Sequence, residues 1–161
     1  MKAKDQKVID ILNDVLSAEL TAINQYFLHA EMCQGWGYER LYEAVRGHSI
    51  DEMRHAEQLI ERMLFFEGAP NMQRLGKLDI GTTVSKQLRA DLALENAAVE
   101  RLNAGIRTCR ELGDVGSAEL LEDILESEEE HISWLEAQID LVGQTGEQNY
   151  LAQQIRKNAE K

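Results

Sequence analysis

The sequence predicts an all-α protein: a four-helix bundle with one long crossover and a short fifth helix at its C-terminal end. Three observations predict it. The 161 residues hold a single proline, Pro70, and are only 6% aromatic, while the good helix formers Leu, Ala, Glu, Gln and Arg abound. Apolar residues recur at helical spacing through four long segments. The connections between those segments are unequal, two short and one long.

The first helix carries Val8, Leu12, Val15, Leu16, Ile23 and Phe27 and runs to about Met32, where Gln34-Gly35-Trp36-Gly37 breaks the pattern. The second spans about Tyr38 to Phe66 and is stopped by Glu67-Gly68-Ala69-Pro70-Asn71; the chain then stays loop-like to about Gly81. The third begins near Thr82-Thr83 and reaches about Leu112, with Gly113-Asp114 as a tight turn. The fourth runs from about Val115 to Leu141, punctuated by Gly143 and Gly146, and a short last helix covers about Glu147 to Lys157. Short turns after the first and third helices make antiparallel neighbours. A helix of about 28 residues is about 42 Å long, and about 15 extended residues reach about 50 Å. Segment 67–81 can therefore cross the bundle's length and lay the second helix parallel to the third. Residues 1–161 read as one domain.

Acidic residues number 29 against 17 basic, a formal net charge of −12. That argues against nucleic acid, whose phosphates need a basic face. It is compatible with cations as partners, or simply with an acidic soluble surface. No run of about 18 apolar residues offers to span a bilayer, and no apolar leader with a cleavage site is seen, so the expectation is a soluble cytoplasmic protein without a membrane partner. Cys33 and Cys109 are too few and too isolated for a disulfide framework or a thiolate site, and read as small buried hydrophobes.

Two Glu-x-x-His motifs stand out: Glu52-Met53-Arg54-His55 and Glu128-Glu129-Glu130-His131. Each follows, 33 residues later, a Glu set in an apolar helical pattern, Glu19 and Glu95. One Glu-x-x-His is weak evidence, since Glu is common on solvated helix faces. Two copies with equal spacing, offset by 76 residues in a chain with four His, are much harder to reach by chance. Three residues are roughly one helical turn, so each motif's Glu and His project from one face. The preceding Glu lies opposite that face in an antiparallel pair. Two such hairpins converge four carboxylates and two imidazoles on a two-metal site, the ligand set of di-iron helical bundles.

Carboxylates and imidazoles without thiolate suit iron, manganese or zinc. Four Glu against two dications nearly neutralise a buried site. Glu19 and Glu95 would each hold one metal, Glu52 and Glu128 would bridge, and His55 and His131 would complete the two sides. Open positions remain for dioxygen or peroxide, and paired irons oxidise together without releasing superoxide. Tyr26, seven residues after Glu19, returns to the same face as either a donor to a ligand or a core tyrosine. Met53 points about 100° away from the metal face. With the apolar stripe Leu20, Ile23 and Phe27 it reads, on the residues alone, as a dimer interface.

The segments Ala22-Ile23-Asn24-Gln25-Tyr26-Phe27-Leu28-His29, Ser49-Ile50-Asp51-Glu52-Met53-Arg54-His55-Ala56, Asp91-Leu92-Ala93-Leu94-Glu95 and Glu128-Glu129-Glu130-His131-Ile132 resemble bacterioferritin. So do Glu67-Gly68-Ala69-Pro70-Asn71 and Gln148-Asn149-Tyr150, and the likeness covers essentially the whole chain. The resemblance implies a ferritin-like bundle, a hollow 24-subunit shell (of one chain type or mixed with a second), and stored ferric mineral. It implies a di-iron ferroxidase centre in each subunit, with Glu19, Glu52, His55, Glu95, Glu128 and His131 as ligands and Fe(II) with O2 or H2O2 as substrates. It further implies haem b (iron protoporphyrin IX) held across a two-fold axis by Met53 from each of two chains, and a small iron–sulfur ferredoxin as reductant. Excess acid is then expected partly on the inner surface, and Asn149 near the four-fold axis.

One departure is visible at Arg46-Gly47-His48, where Gly47 supplies no ligand to an auxiliary inner-surface iron site shared with Asp51. His48 either substitutes as a ligand there or is solvated, and solvation is the expectation. Rival readings are another di-iron protein, such as a rubrerythrin-like peroxidase, and a non-catalytic haem-binding or structural bundle. Neither cysteine belongs to a rubredoxin-type CxxC, and a structural bundle leaves the duplicated spacing unexplained.

Overall fold

The computed structural model describes residues 1–156, and among them five helices and no strand follow in order: α1 (Gln6–Gly35), α2 (Glu39–Phe65), α3 (Val84–Glu111), α4 (Val115–Thr145) and α5 (Glu147–Gln154). Local chemistry sets the boundaries. Asp5, Thr83 and Asp114 cap α1, α3 and α4 by accepting the amides of Lys7, Lys86 and Ser117, which satisfies donors that have no partner inside the helix. Gly113, at φ +72°, makes the α3–α4 turn in a conformation that side chains disfavour. The expected punctuation at Gly143 does not occur. Gly143 lies inside α4, and Gly146 at φ +83° ends it. One helical glycine costs about 1 kcal/mol relative to Ala, too little to stop a helix whose backbone is otherwise satisfied. The expected end of the last helix at Lys157 lies outside the described residues.

Cross-helix contacts fix the directions. Between α1 and α3 the pairs are Tyr26 with Glu95, His29 with Asp91 and Cys33 with Gln87; one number rises as the other falls, so the two run antiparallel. Between α1 and α2 they are Glu19 with His55 and Ile23 with Ser49, and between α3 and α4 Glu95 with His131 and Arg110 with Glu122, again antiparallel. Hence α2 and α3 are parallel, as the long crossover predicts.

A small apolar cluster of Ala22, Tyr26, Ala30 and Val45 accompanies two larger ones that fill the bundle. One gathers Leu12, Leu16, Leu59, Met63, Leu102 and Leu121 near the α3–α4 turn, and the other gathers Cys33, Leu41, Leu88, Leu135 and Tyr150 towards α5. The carboxylate and imidazole side chains lie in the layer between them.

The crossover has no secondary structure, so its amides need side-chain partners. One face of α1 supplies them. Asn13 accepts from the amide of Asn71 (2.7 Å), Thr21 from Gly76 (2.8 Å), Gln25 from Asp79 (2.9 Å) and His29 Nε2 from Gly81 (3.0 Å). Because Nε2 accepts, Nδ1 of His29 carries the proton and donates to Asp91 Oδ1 at 2.8 Å, where the Gln25 amide also donates at 2.8 Å. Gly81 fits under this ladder because a Cβ there would fall 2.3 Å from the Gln87 nitrogen.

Asp91→Ala is expected to leave the His29 and Gln25 donors buried and unpaired. The variant should lose about 3 kcal/mol of stability and be cut faster by protease within residues 67–83. An unchanged denaturation midpoint together with unchanged cleavage would contradict this role.

Candidate metal centre

Glu19 comes from α1, Glu52 and His55 from α2, Glu95 from α3, and Glu128 and His131 from α4. All six side chains are buried. They form two groups: Glu19, Glu52, His55 and Glu128, and Glu52, Glu95, Glu128 and His131, each with ligand atoms within 4.8 Å of one another. Glu52 and Glu128 belong to both groups. Either group offers three carboxylates and one imidazole, a donor set that can hold a divalent metal.

Distances show how tightly the layer is drawn. His55 Nδ1 lies 3.2 Å from Glu19 Oε2, 3.2 Å from Glu52 Oε2 and 3.5 Å from Glu128 Oε1. His131 Nδ1 lies 2.9 Å from Glu52 Oε1, 3.3 Å from Glu95 Oε1 and 3.5 Å from Glu128 Oε2. Even so, Glu52 Oε1 and both Glu128 oxygens are buried without a hydrogen bond of adequate geometry. Buried carboxylate oxygens left over in this way are costly unless a cation takes them. The residues fit a pair of metals.

Electrostatics agree with that fit. Burial opposes charge on His55, but the close carboxylates of Glu128, Glu19 and Glu52 outweigh it and push its pKa up to about 12. His131 is raised in the same way, against its burial, by Glu128, Glu52 and Glu95. Glu52 and Glu128 are lowered despite burial, by the close approach of Glu19, His131 and His55 to the first and of His131 and His55 to the second. Glu95 is pushed up to about 9 by burial and by the nearby charges of Glu128 and Glu52. Glu19 is raised well above its ordinary value by burial and by Glu52. Without metal, His55 and His131 are thus driven towards their charged form against the carboxylates of Glu52 and Glu128, and Glu19 and Glu95 towards their neutral form.

Around this layer the side chains take distinct roles. Tyr26 is buried and donates to Glu95 Oε1 at 2.6 Å, which makes it a hydrogen-bonding neighbour of the site as well as a core residue. A cavity of about 310 Å³ runs from exposed Arg74, Lys77 and Arg101 to the four buried glutamates. Met53 is 56% exposed and Phe27 54% exposed, whereas Leu20 and Ile23 are half-buried against the main core. The outward direction of Met53 agrees with its place one residue after Glu52.

The expected solvation of His48 does not occur. Its ring lies 4.3 Å from that of His131 and 4.9 Å from that of Trp134. Half-burial and the neighbouring His131 push its pKa down to about 4. Sequence reasoning also missed Asp51 as a neighbour of His131, with Oδ2 3.3 Å from Nε2. Its adjacency to Glu52 was the available signal.

The profile of the ferritin-like domain matches residues 9–144. A bacterioferritin of Mycobacterium leprae is 50% identical over 153 residues, covering 95% of this chain and 96% of that protein. A bacterioferritin of Streptomyces coelicolor is 46% identical over 153 residues, covering 95% and 92%, and one of Brucella melitensis is 45% identical over 146 residues, covering 91% of each chain.

Metal must displace the protons that these residues hold, so binding should weaken as pH falls. Loading the metal-free protein with Zn2+ at pH 7 is expected to release at least three protons per metal pair, two from the imidazoliums and the rest from Glu95 and Glu19. A pH-stat reading below three protons would contradict the protonation pattern.

Proposed function

This chain belongs to the bacterioferritin family of iron-storage proteins, and from that premise we propose that it oxidises Fe(II) at the six-residue layer and stores the product as ferric mineral inside a 24-subunit shell. The observation that carries this reading is the pair of metal-holding groups sharing Glu52 and Glu128. Two adjacent ions can give up two electrons together, taking O2 to H2O2 (2 Fe(II) + O2 + 2 H+ → 2 Fe(III) + H2O2). A second pair takes that H2O2 to water, so the overall reaction is 4 Fe(II) + O2 + 4 H+ → 4 Fe(III) + 2 H2O, with H2O2 as the alternative oxidant.

Each residue has a part in this. Glu19 and Glu95 each hold one ion, and their raised pKa values make them proton donors on loading. Glu52 and Glu128, which belong to both groups, would serve both ions, and their lowered pKa values keep them ready to accept a cation. His55 and His131 complete the sites from α2 and α4. Tyr26 keeps Glu95 turned inward through its 2.6 Å hydrogen bond.

Haem is proposed at a two-fold contact between chains, where the Met53 sulfur of each would hold it beside Phe27, Leu20, Ile23 and Ile50. What supports this is the exposed thioether of Met53 and the exposed ring of Phe27, with Leu20, Ile23 and Ile50 half-buried, a soft donor and apolar side chains that suit an apolar macrocycle. Bound haem would supply one-electron transfer towards the mineral, with a small iron–sulfur ferredoxin as reductant. The proposed setting is the cytoplasm.

Glu19→Ala and Glu95→Ala are each expected to reduce the fast phase of ferrous oxidation to the uncatalysed rate while the shell still assembles; stopped-flow absorbance and size exclusion check both. A fast phase of ordinary amplitude would place the chemistry elsewhere. Met53→Leu keeps the volume but removes the sulfur, so assembly and oxidation should persist while haem content falls to near zero and reductive iron release slows. Full haem content with an unchanged spectrum would return Met53 to a contact residue.

A further inference from the structure

The 76-residue repeat duplicates the six ligands but not the side chains behind them. His131 is supported on two sides: Asp51 Oδ2 stands 3.3 Å from Nε2, and the His48 ring packs at 4.3 Å with a 32° tilt. Trp134 in turn holds His48 edge-on at 4.9 Å. Glu95 is oriented by the Tyr26 hydroxyl at 2.6 Å. The corresponding positions on the other half, read at the same offset, are Ser127 for Asp51, Ile124 for His48, Gln58 for Trp134 and Leu102 for Tyr26. Among the described residues no side chain is recorded at Nε2 of His55, whose contacts are all made by Nδ1 with carboxylates of the centre.

Outer partners of this kind matter to metal affinity. A carboxylate on the far nitrogen of a ligating imidazole fixes its tautomer and ring direction and raises its basicity, and losing such a partner typically costs 10–100-fold in affinity. A phenol on a ligating carboxylate likewise reduces the conformations lost on binding. Asp51 is 38% exposed on its side chain and also receives Arg54 Nη1 at 3.2 Å, so the lower end of that range applies.

We infer that Asp51, His48 and Tyr26 are positioning residues that make the two halves of this ligand-symmetric centre unequal, so that the position of Glu95 and His131 fills first and holds its metal more tightly, while that of Glu19 and His55 is the exchanging one. This rests on the reading of the layer as a two-metal site. Metal loading then proceeds in a fixed order, and release begins at the His55 side.

The test is an anaerobic titration of the metal-free assembled protein with Co2+, followed by its visible d–d absorption in competition with a chelator. Two steps are expected, and crystals given one equivalent of Co2+ should show anomalous scattering beside His131. Asp51→Asn should weaken the first step about tenfold and leave the second within about twofold, bringing the two together. Ser127→Asp, which places a carboxylate on the His55 side, should strengthen the second step and provides a reading that does not depend on losing a contact. Equal occupancy of both positions at one equivalent would overturn the inference, and so would Asp51→Asn weakening both steps alike or neither. A wild-type protein that binds no pair of Co2+ ions would instead overturn the two-metal reading itself.

Discussion

Four carboxylates and two imidazoles share one buried layer in the middle of a helical bundle, and the rest of the molecule is organised around keeping that charge out of water. Burying a lone carboxylate is costly enough that it gives up its charge or finds a partner. Both outcomes occur here. Glu52 and Glu128 stay ionised against His55 and His131, while Glu19 and Glu95 are driven towards their neutral form. Two dications can take the place of the protons on His55, His131, Glu19 and Glu95 and also engage the leftover oxygens of Glu52 and Glu128, which is why those oxygens are informative. The apolar clusters on either side keep the layer dry and the helices close.

Holding the layer together requires all four long helices in register, and the crossover makes that arrangement possible. It returns the chain along the bundle so that α3 runs parallel to α2. Its amides are taken up by a polar ladder on α1, from Asn13 to His29, rather than by secondary structure of its own. Asp91 ties the upper rungs of that ladder to α3 four residues before Glu95. The same α1 that supplies Glu19 and Tyr26 to the centre therefore also fastens the loop lying across it, so fold stability and site geometry share a helix.

Much of this was legible in the sequence because it depends on periodicity and spacing. The helical stripes, the glycine and proline breaks, and the equal 33-residue intervals specify the bundle and bring the six side chains into one layer. Less legible were features that depend on partners distant in sequence. His48 reads as an exposed polar residue beside Gly47, yet it packs on His131, some eighty residues away. Asp51 and the Gln25–His29–Asp91 network carry no periodic signal, since a buried polar residue is recognised only once its partner is placed. Gly143 misled for the opposite reason: a local breaker is overruled when the surrounding helix is long and well satisfied.

The central claim is that one chain's bundle holds two metals bridged by the shared glutamates. Anomalous diffraction from crystals of the assembled protein loaded with ferrous iron, or with Zn2+ as a redox-inert substitute, tests it directly. Two peaks are expected within each bundle, roughly 3.5–4 Å apart, both in contact with Glu52 and Glu128 and each capped by one His. A single peak, or peaks confined to contacts between chains, would contradict it.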